Sequence, residues 1–526
     1  MLAQLLLLAA PLTPLALLAA RGKLASLVWA PLPALAAALL AQGEPPLVIY
    51  ADWLRLTLSL DAPSALLLGV AALLWSAAGA YARSYMPGSE RFAAWWLVTQ
   101  AGSLGVFVAG DLVTFYAAFA LVSLAAYGMV VHDRTEAARR AGSIYLLLAV
   151  LGEVCLLLAF ALLAVNVPGN TLAIADVVAA LPTSPTRDVT IGLLIAGFGL
   201  KAGLVPLHVW LPLAHPAAPM PASAVLSGAI IKAGIIGLIR FLPYDASIAF
   251  WGEALGVMGL LTAFYGVALG ITQHNPKTVL AYSSVSQMGV VIAALGLGMA
   301  AGDASAPMAG AFYAAHHVLA KGALFLAVGV VCATGPRHQW PVLAAVLLLV
   351  LSFGGLPWTG GALAKAATKG QLGEGLVGWL AAFSAAGTTM LMLHFLARLR
   401  LGPPTEGQAP RGMLLTWMGM TAAAVILPWV LFGATGAALP KFWPALWPVL
   451  LGAALAAGLQ RWGARLPCPP EGDVLVFAER GFRRAGPPLG EAMARTERTL
   501  RAWPSAGLAL LAIAITLGVA MALAAA

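Results

Sequence analysis

Residues 201–234 read KAGLVPLHVWLPLAHPAAPMPASAVLSGAIIKAG, and this stretch decides the fold. It is apolar over most of its length, yet it opens on Lys201 and holds a second lysine, Lys232, near its end. Pro206 and Pro212 interrupt the apolar run. Proline removes a backbone donor and frees carbonyl groups four residues earlier, so such a break persists in a membrane only beside a polar cavity or inside the protein. The stretch therefore predicts a broken transmembrane helix that carries a lysine, followed by a second helix.

The composition of the whole chain indicates a membrane protein. Of its 526 residues, 61% are hydrophobic and only 9% are charged, whereas roughly a quarter of the residues of a soluble domain are charged. The mean hydropathy is +0.92. At about 20 apolar residues per span, this content suffices for roughly 16 transmembrane helices and leaves little chain for a soluble domain. We predict an all-α polytopic membrane protein of the cell (inner) membrane, surrounded by the lipid bilayer.

Sixteen apolar runs bounded by charges, proline and glycine predict where these helices lie. They fall at about 2–20, 24–42, 58–80, 93–109, 111–131, 142–164, 189–211, 217–242, 250–271, 277–299, 308–333, 341–364, 374–397, 413–434, 440–459 and 505–525. The first run has no basic residue before it and leads directly into further spans. We therefore interpret it as a retained helix and not as a signal peptide.

These spans divide the chain into four parts. The parts are 1–90 with spans one to three, 91–245 with spans four to eight, 246–400 with spans nine to thirteen, and 401–526 with spans fourteen to sixteen. The last part contains a segment at about 460–503 that mixes basic and apolar residues, which predicts an amphipathic element on the membrane surface. Pro487 and Pro488 interrupt this segment, so we do not expect a long strut that crosses several partner subunits.

Lysine and arginine are distributed unevenly between the predicted loops. Loops after odd-numbered spans carry 20 of the 29 basic residues, loops after even-numbered spans carry five, and four lie within or at the edges of spans. The positive-inside rule then places the odd-numbered loops in the cytoplasm and both termini on the outer, periplasmic side. The net charge of +9 thus reflects topology and not a basic patch on one solvated face, so we expect no nucleic-acid partner.

The cysteine and histidine patterns indicate no cofactor. Cys155, Cys332 and Cys468 are far apart, so the chain has no disulfide framework, CxxC, CxxCH or iron–sulfur ligand set. Haem held by two histidines is another interpretation of intramembrane histidine. However, the adjacent His316 and His317 point about 100° apart on a helix, and no matching pair occurs elsewhere. We predict no cofactor and no metal, and any redox chemistry is expected in a partner subunit.

A few ionisable residues fall inside or at the edge of predicted spans, where a charge at the bilayer centre costs at least about 2.5 to 3.5 kcal/mol. They are Glu153 in span six, Lys201 in span seven, Lys232 in span eight, His316, His317 and Lys321 in span eleven, and Lys365 at the end of span twelve. One interpretation is structural: buried ion pairs, or lysines that reach the interface, which suits Lys365 best. The other is a proton relay, because each group can alternate between charged and neutral forms. His317 and Lys321 are four residues apart and share a helix face, as one relay step requires.

Span twelve carries a second break. Residues 351–365 read LSFGGLPWTGGALAK, with Pro357 among four glycines. The breaks in spans seven and twelve lie five spans apart, and this odd offset predicts two inverted five-helix repeats, as in many transporters. Ordinary proline kinks are the alternative. Lysines accompany both breaks, which favours a functional site with Pro206, Pro212 and Pro357 at the broken helices.

Three further motifs follow the opening stretch in order. They are NPKTVLAYSSVSQMG at 275–289, HHVLAKGALFL at 316–326 and GLPWTGGALAK at 355–365. Over roughly residues 55 to 400 the chain resembles the antiporter-like membrane subunits of respiratory complex I. It is similar in the same way to the large subunits of Mrp-type Na+/H+ antiporters, to membrane-bound hydrogenases and to some inorganic-carbon uptake complexes. The resemblance implies a proton-translocating subunit, with H+ or H+ and Na+ as the ions and other membrane subunits as partners.

The resemblance also implies roles for individual residues. In that family the lysine that opens the first motif is the central proton carrier, which implies this role for Lys201. The lysine 31 residues later relays protons inward, which implies Lys232. The third motif implies the same for His317 and Lys321. The lysine or glutamate that closes the fourth motif delivers the proton to the far side, which implies Lys365.

Two positions depart from the family's pattern. The usual WLPDAH reads WLPLAH at 210–215, with Leu213 in place of aspartate. Span five normally carries FYxxWE, whose glutamate pairs with the central lysine, but Phe119 and Ala120 occupy those last two places here. We expect Glu153, on the next helix, to face Lys201 and to restore the pair.

Three functions remain open at this stage. The first is a proton-conducting subunit, exchanging H+ alone or against Na+, within a complex of the NADH:quinone oxidoreductase or hydrogenase type. The second is a subunit that uses the proton gradient to drive a partner, such as a zinc enzyme that hydrates CO2. The third is a structural subunit that has lost conduction, as the missing carboxylate at Ala120 would allow. An intrinsic enzyme is least favoured, because the sequence has no recognisable nucleotide loop, metal cluster or quinone site.

Overall fold

The computed structural model describes residues 1–20, 24–51, 54–401, 407–462, 466–467, 469–472 and 474–476. In this part of the chain, residues up to Glu471 form one compact unit. Its α-helices are α1 (Leu2–Ala19), α2 (Leu32–Leu40), α3 (Ala62–Tyr85), α4 (Glu90–Val108), α5 (Leu112–Val130), α6 (Glu136–Asn166), α7 (Ile174–Ala180), α8 (Arg187–Ala202), α9 (Trp210–Ala217), α10 (Met220–Val225), α11 (Lys232–Phe241), α12 (Ala249–Gly270), α13 (Pro276–Ala301), α14 (Ala306–Cys332), α15 (Gln339–Gly354), α16 (Gly360–Ala367), α17 (Lys369–Leu372), α18 (Gly375–Arg400), α19 (Arg411–Leu431) and α20 (Phe442–Trp462). Short 3₁₀ helices lie at Leu24–Val28, Pro168–Asn170, Leu181–Thr183, Leu207–Val209, Pro336–His338 and Phe432–Thr435, and a π-helical turn lies at Leu226–Ile230.

Most of the predicted membrane spans in the described residues coincide with helices, and the span at 24–42 does not. Thirteen helical segments of the described chain are long and apolar enough to cross a membrane, four of which (Arg187–Ala217, Met220–Phe241, Pro336–Gly354 and Arg411–Thr435) join two or three of these elements. The chain is therefore an all-α multi-pass membrane protein. A fourteenth helix, α4, has 19 residues and is buried over most of its length. The predicted span at 505–525, and the amphipathic segment at about 460–503 from 477 onward, lie outside the described residues.

The predicted span at 24–42 has a different structure. It consists of a 3₁₀ helix, Leu24–Val28, and the nine-residue helix α2. Pro31 is the residue before α2, and Pro33 lies in its first turn. Each of these prolines lacks a backbone N–H and restricts the residue before it, so the helix restarts here and does not run continuously from residue 24.

A β-hairpin precedes α3 and was not predicted. Strand β1 (Leu47–Ala51) pairs antiparallel with β2 (Leu54–Leu58). The hairpin is tied to the connection between α4 and α5, because Gly110 N donates to Thr57 O (2.7 Å). The alternation of apolar and polar residues in β2 is typical of a strand, but the apolar runs on both sides made a membrane span the favoured prediction.

Two helices are broken at matching places. Helices α8 and α15 each have 16 residues, and each ends at a glycine in the left-handed conformation, Gly203 (φ 86°) and Gly355 (φ 95°). After a short irregular stretch, each continues as an eight-residue helix, α9 or α16. Pro206 and Pro357 lie in the irregular stretches. Pro212 lies in the first turn of α9, where the missing N–H has no intrahelical partner to lose.

Loops that follow odd-numbered spans meet at one end of the helices, and loops that follow even-numbered spans meet at the other. The connections after spans four and six form an isolated bridge between Asp111 and Ala173. At the opposite end, one cavity is lined by residues of the connections after spans seven, nine, eleven and thirteen. We call these the even-loop end and the odd-loop end. Between them, α13 and α14 form the core, and nearly every residue of both helices is buried.

Candidate functional site

Lys201 lies in the last turn of α8, just before the helix break, and is 3% exposed. Its Nζ donates to Ser123 Oγ on α5 (2.9 Å) and to Tyr145 OH on α6 (3.1 Å). The Tyr145 hydroxyl in turn donates to the Ser123 carbonyl oxygen (2.7 Å). The amine also lies 5.7 Å from the centroid of the Phe119 ring, as a cation–π contact. Two neighbouring helices, α5 and α6, thus hold this amine through neutral groups.

Glu153 is buried on α6, two turns beyond Tyr145, and is 6% exposed. Neither of its carboxylate oxygens has a hydrogen-bond partner among the described residues. The carboxylate interacts electrostatically with Lys201, but no ion pair forms between the two residues in the described part of the chain. Ser123 therefore occupies the place beside the Lys201 amine. The pairing of Glu153 with Lys201 remains a prediction.

A small cavity lies beside Lys201. Its volume is about 10 Å³, and Tyr145, Ala149, Leu200 and Trp210 complete its lining. This is about the room that a single water molecule needs, and the amine and the phenol supply polar partners for it. The cavity lies at the break between the two helices, because Leu200 and Lys201 belong to the last turn of α8 and Trp210 is the first residue of α9.

Lys232 begins α11 directly after the π-helical turn Leu226–Ile230. The turn leaves the Ser227 carbonyl oxygen outside the regular helical pattern, and Lys232 Nζ donates to it (3.1 Å). π-Helical turns of this kind are frequent at functional sites. The same amine lies 2.6 Å from His317 Nδ1 on α14. Lys232 is fully buried, and its described partners are again neutral groups.

Lys321 lies one turn after His317 on α14 and is fully buried. Its Nζ donates to the Leu280 carbonyl oxygen of α13 (2.7 Å). Ser284 also donates to this carbonyl (3.1 Å), and the hydroxyls of Ser284 and Ser227 are 2.8 Å apart. A polar chain thus runs from Lys321 across α13 to the turn that binds Lys232. We call these residues the Lys232–Lys321 cluster.

Lys365 lies on α16, after the second break. Its Nζ donates to the Gly354 carbonyl oxygen, which the break in α15 leaves free. His316 approaches the same break from α14: a Cβ on Gly360 would lie 2.9 Å from His316 Nδ1. Neither ring nitrogen of His316 has a hydrogen-bond partner in the described residues. His316 thus lies between the Lys232–Lys321 cluster and Lys365.

Lys277 and His215 belong to the same arrangement, although neither was predicted from the sequence to be a site residue. Lys277 lies in the first turn of α13, is 7% exposed, and donates to the carbonyl oxygens of Pro216 (3.0 Å) and Ala218 (2.5 Å) at the end of α9. His215 is fully buried with both ring nitrogens unpartnered among the described residues, and it interacts electrostatically with Lys321, Lys277 and Lys232. The NPKT and WLPLAH motifs contained both residues, but position in the chain did not reveal their burial.

A cavity of about 360 Å³ opens from the odd-loop end toward Lys277. Basic groups dominate the charge of its lining, which comprises Met220, His274, Asn275, Pro276, Lys277, Val328, Cys332, Arg398, Leu399 and Leu401. Lys277 lines this cavity, and its amine binds the carbonyl oxygen of Pro216, the residue after His215. Within the described residues, no group of three histidine, cysteine or carboxylate side chains could hold a metal ion.

The predicted site residues therefore form two groups. The first group lies on α11, α14 and α16 and comprises, in spatial order, Lys232, His317, Lys321, His316 and Lys365. Lys201 forms a separate group with Ser123, Tyr145 and the nearby Glu153. Ser123 and Tyr145 were missed because a single hydroxyl residue on an apolar helix gives no signal in a sequence.

The fold and this series of buried amines define an antiporter-like membrane protein. Residues 109–391, more than half of the chain, match the family described as "NADH:quinone oxidoreductase/Mrp antiporter, TM". The chain belongs to this family. The match covers every predicted relay residue, from Glu153 to Lys365.

Relatives from several complexes are similar to this chain. Hydrogenase-4 component B of Escherichia coli (strain K12) is 29% identical over 343 residues, which are 62% of this chain and 49% of the relative. The chain thus spans about half the length of this curated relative. The solved structure of the Mrp complex from Dietzia sp. DQ12-45-1b contains a chain with a TM-score of 0.78 and 23% identity, matching 100% of this chain and 63% of that one. A chain of the membrane-bound sulfane sulfur reductase, an archaeal respiratory membrane complex, matches with a TM-score of 0.72 and 20% identity, over 97% of this chain and 99% of that one. At these identities, the two structures show a shared fold.

Proposed function

We propose that this chain is a proton-translocating subunit of a multisubunit membrane complex, exchanging H+ alone or against Na+. The observation that carries the proposal is the chemistry around the lysines. The amines of Lys201, Lys232, Lys321 and Lys365 are bonded to hydroxyl, carbonyl and imidazole groups, and no carboxylate forms an ion pair with them within the described residues. Ionisable residues inside a membrane are rare, bind one another or backbone carbonyl groups, and mark ion pathways and proton relays.

An amine without a counter-ion is suited to carrying a proton. A buried unpaired charge costs several kcal/mol, so the neutral form competes with the charged form and the proton exchanges readily. The His317 imidazole beside the Lys232 amine can accept or donate that proton. The spacing of Lys232 to His317 at 2.6 Å is a direct hydrogen-bond distance, over which a proton can pass without a large movement.

The proposed route begins at the odd-loop end. Protons reach Lys277 from the cavity and pass by His215 to the Lys232–Lys321 cluster. They then pass by His316 to Lys365, whose amine is bonded at the second break, and leave toward the even-loop end. Lys201 and Glu153 form a second titrating group. Its charge changes how readily the amines of the route bind protons, because like charges in a low-dielectric interior disfavour one another.

We further propose that residues 91–245 and 246–400 are the two inverted repeats. Asp111 and Asn275 cap α5 and α13, and the residues 12 positions later, Ser123 and Gln287, each accept a hydrogen bond from a tyrosine hydroxyl of the next long helix. These tyrosines are Tyr145 and Tyr313. A broken helix follows in each half, with an odd number of spans between the copies. In inverted five-helix repeats of this kind, the two broken helices cross the membrane in opposite directions.

The proposal is tested by Lys232→Met in the assembled complex. Methionine keeps most of the side-chain volume and removes the titrating group, so ΔpH-driven or cation-induced proton exchange in proteoliposomes should fall by at least about tenfold. Lys441→Met, at an exposed lysine, is the matched control and should exchange at the wild-type rate. Unchanged exchange in an assembled Lys232→Met complex would mean that this subunit does not conduct. Comparing Na+ with K+ pulses in the wild type identifies the coupling ion.

A further inference from the structure

Five phenylalanine side chains pack together between α5, α6, α8 and α11. They are Phe115, Phe119, Phe160, Phe198 and Phe241, and each is 5% exposed or less. Their ring centroids lie between 4.7 Å (Phe160 to Phe241) and 6.4 Å (Phe160 to Phe198) apart. Phe115 contacts four of the other rings directly. We call these five residues the phenylalanine plug.

The plug lies between Lys201 and the even-loop end. Asp111, Phe115, Phe119 and Ser123 follow one another at intervals of four along α5, so they share one helix face. Ser123 binds the Lys201 amine, and Asp111 caps the helix at the even-loop end. Twelve residues of helix separate these polar positions, or about 18 Å at 1.5 Å per residue, and the phenylalanines fill this face between them.

A fixed positive charge lies at the outer end of the plug. Arg240 precedes Phe241, and its side chain is only 7% exposed. It donates to the Ala109 carbonyl oxygen and forms an ion pair with Asp61 (3.5 Å). Arginine remains charged at every physiological pH. Asp61 offsets this charge, and because Arg240 does not release its proton it offers no relay step at this end of the plug.

The plug itself offers nothing that conducts a proton. Protons move along water or titrating side chains, and a buried water needs two to four polar partners. Packed phenyl rings supply neither. A cation that entered this region would also lose its hydration without a compensating partner.

We propose that the phenylalanine plug is a dry barrier that closes the first repeat toward the even-loop end, so that Lys201 exchanges protons only on its other side. This inference rests on the proposed function in one respect: Lys201 is taken to bind and release a proton as part of the second titrating group. The barrier fixes the direction of transfer, because a proton at Lys201 that could leave through the even-loop end would dissipate the gradient without coupling. The plug residues act on transport by exclusion and do not touch the proton.

The test measures passive proton leak in proteoliposomes that contain the assembled complex. A preset pH gradient is followed with a trapped pH-sensitive dye, with no coupling cation or substrate present. Phe115→Ser removes a central ring and adds a hydroxyl, so we expect the gradient to collapse several-fold faster than in the wild type. Phe115→Tyr keeps the ring and so should fold even if Phe115→Ser does not. Because it adds a hydroxyl, we expect a smaller but measurable increase in leak.

Two controls separate leak from general damage. Phe115→Leu keeps the region apolar, and Phe92→Ser changes an equally buried phenylalanine outside the plug; both should retain the wild-type leak rate. Wild-type leak in both Phe115→Ser and Phe115→Tyr, with assembly intact on a native gel, would overturn the barrier. That result would leave the Lys232→Met test untouched, because that test measures coupled exchange and not leak.

Discussion

Glu153 is a buried carboxylate without a hydrogen-bond partner in the described chain, placed on the helix next to the one where the family carries its glutamate. A carboxylate costs free energy in this position unless something offsets it. The proximity of Lys201 supplies that offset, through an interaction in which Ser123 lies beside the amine. No ion pair joins the two groups among the described residues, and their functional pairing remains a prediction.

Glu153→Gln removes this charge while keeping the side-chain volume. We expect proton exchange in proteoliposomes to fall by about tenfold, because the Lys201 amine loses the group that stabilises its protonated form. Ala120→Glu in the same chain restores a carboxylate on α5 and should recover a substantial part of the rate. If the double variant exchanged protons no faster than Glu153→Gln alone, a carboxylate on α5 could not replace Glu153, and the prediction would be wrong.

A substitution at Lys277 tests whether this residue carries protons or only caps the end of α9. Its amine binds the carbonyl oxygens of Pro216 and Ala218, and a purely structural role would end there. Lys277→Arg keeps donors for both carbonyls but cannot release its proton. We expect this variant to assemble normally and to lose exchange by at least about tenfold, since proton transfer by a positioned group contributes factors of this size or more.

The comparison for Lys277→Arg is Arg398→Lys, at a basic residue that lines the same cavity. This variant keeps the positive charge of the lining and should exchange at close to the wild-type rate. If Lys277→Arg also exchanged at the wild-type rate, Lys277 would be a cap and protons would reach His215 by another route.

At the scale of elements, the broken helices bring carbonyl groups and amines together. Gly355 ends α15 in the left-handed conformation, and a Cβ placed there would lie 3.0 Å from both Cδ and Nζ of Lys365. The glycine therefore allows two things: the turn of the chain, and the close approach of the Lys365 amine to the Gly354 carbonyl.

Gly355→Ala separates these two effects when it is compared with Gly436→Ala. Gly436 is also left-handed (φ 64°), but a Cβ there would meet nothing within 4 Å. Both variants should lose about 1 to 2 kcal/mol of stability from the backbone, seen as a lower thermal midpoint of the purified complex. Only Gly355→Ala should also lose proton exchange, because its methyl group displaces Lys365. Equal exchange in the two variants would show that the position of Lys365 is not critical.

The sequence predicted the elements better than it predicted the contacts. Apolar runs have the length of a bilayer and are bounded by charge, so spans such as α12, α13 and α14 were found close to their observed bounds. The breaks were found because proline and glycine have direct backbone consequences. The hairpin at 47–58 and the interrupted helix after Leu24 were missed, since short apolar segments carry the same composition as a span.

The candidate site, too, could be predicted from the sequence only in part. Charged residues in apolar runs are conspicuous, so Lys201, Lys232 and Lys321 were identified from their energetic cost alone. Lys277 was not, because it is close to a helix start and its burial comes from α9, which is distant in sequence. The bonds of Ser123 and Tyr145 to Lys201 depend on how three helices pack, and no local pattern encodes that packing.

At the scale of the whole molecule, the distribution of basic residues and the alternation of the loops support one orientation. Asp133 lies in the connection after span five, beside Arg134, Arg139 and Arg140, and Thr183 lies in the connection after span six. The helix α6 between them has 31 residues, or about 46 Å, which places the two connections on opposite sides of the membrane. The positive-inside rule assigns the Asp133 side to the cytoplasm.

Cysteine labelling tests this orientation in a chain whose Cys155, Cys332 and Cys468 are replaced by serine. Both Asp133 and Thr183 are exposed at their positions, so a cysteine at either is accessible to a reagent on its own side. A membrane-impermeant maleimide added to intact cells should label Thr183→Cys at once and Asp133→Cys only after the membrane is permeabilised. Because basic loops are retained on the cytoplasmic side while the chain inserts, this pattern also places the cavity that leads to Lys277 in contact with the cytoplasm. The reverse pattern would turn the proposed route around, with uptake at Lys277 from the outside.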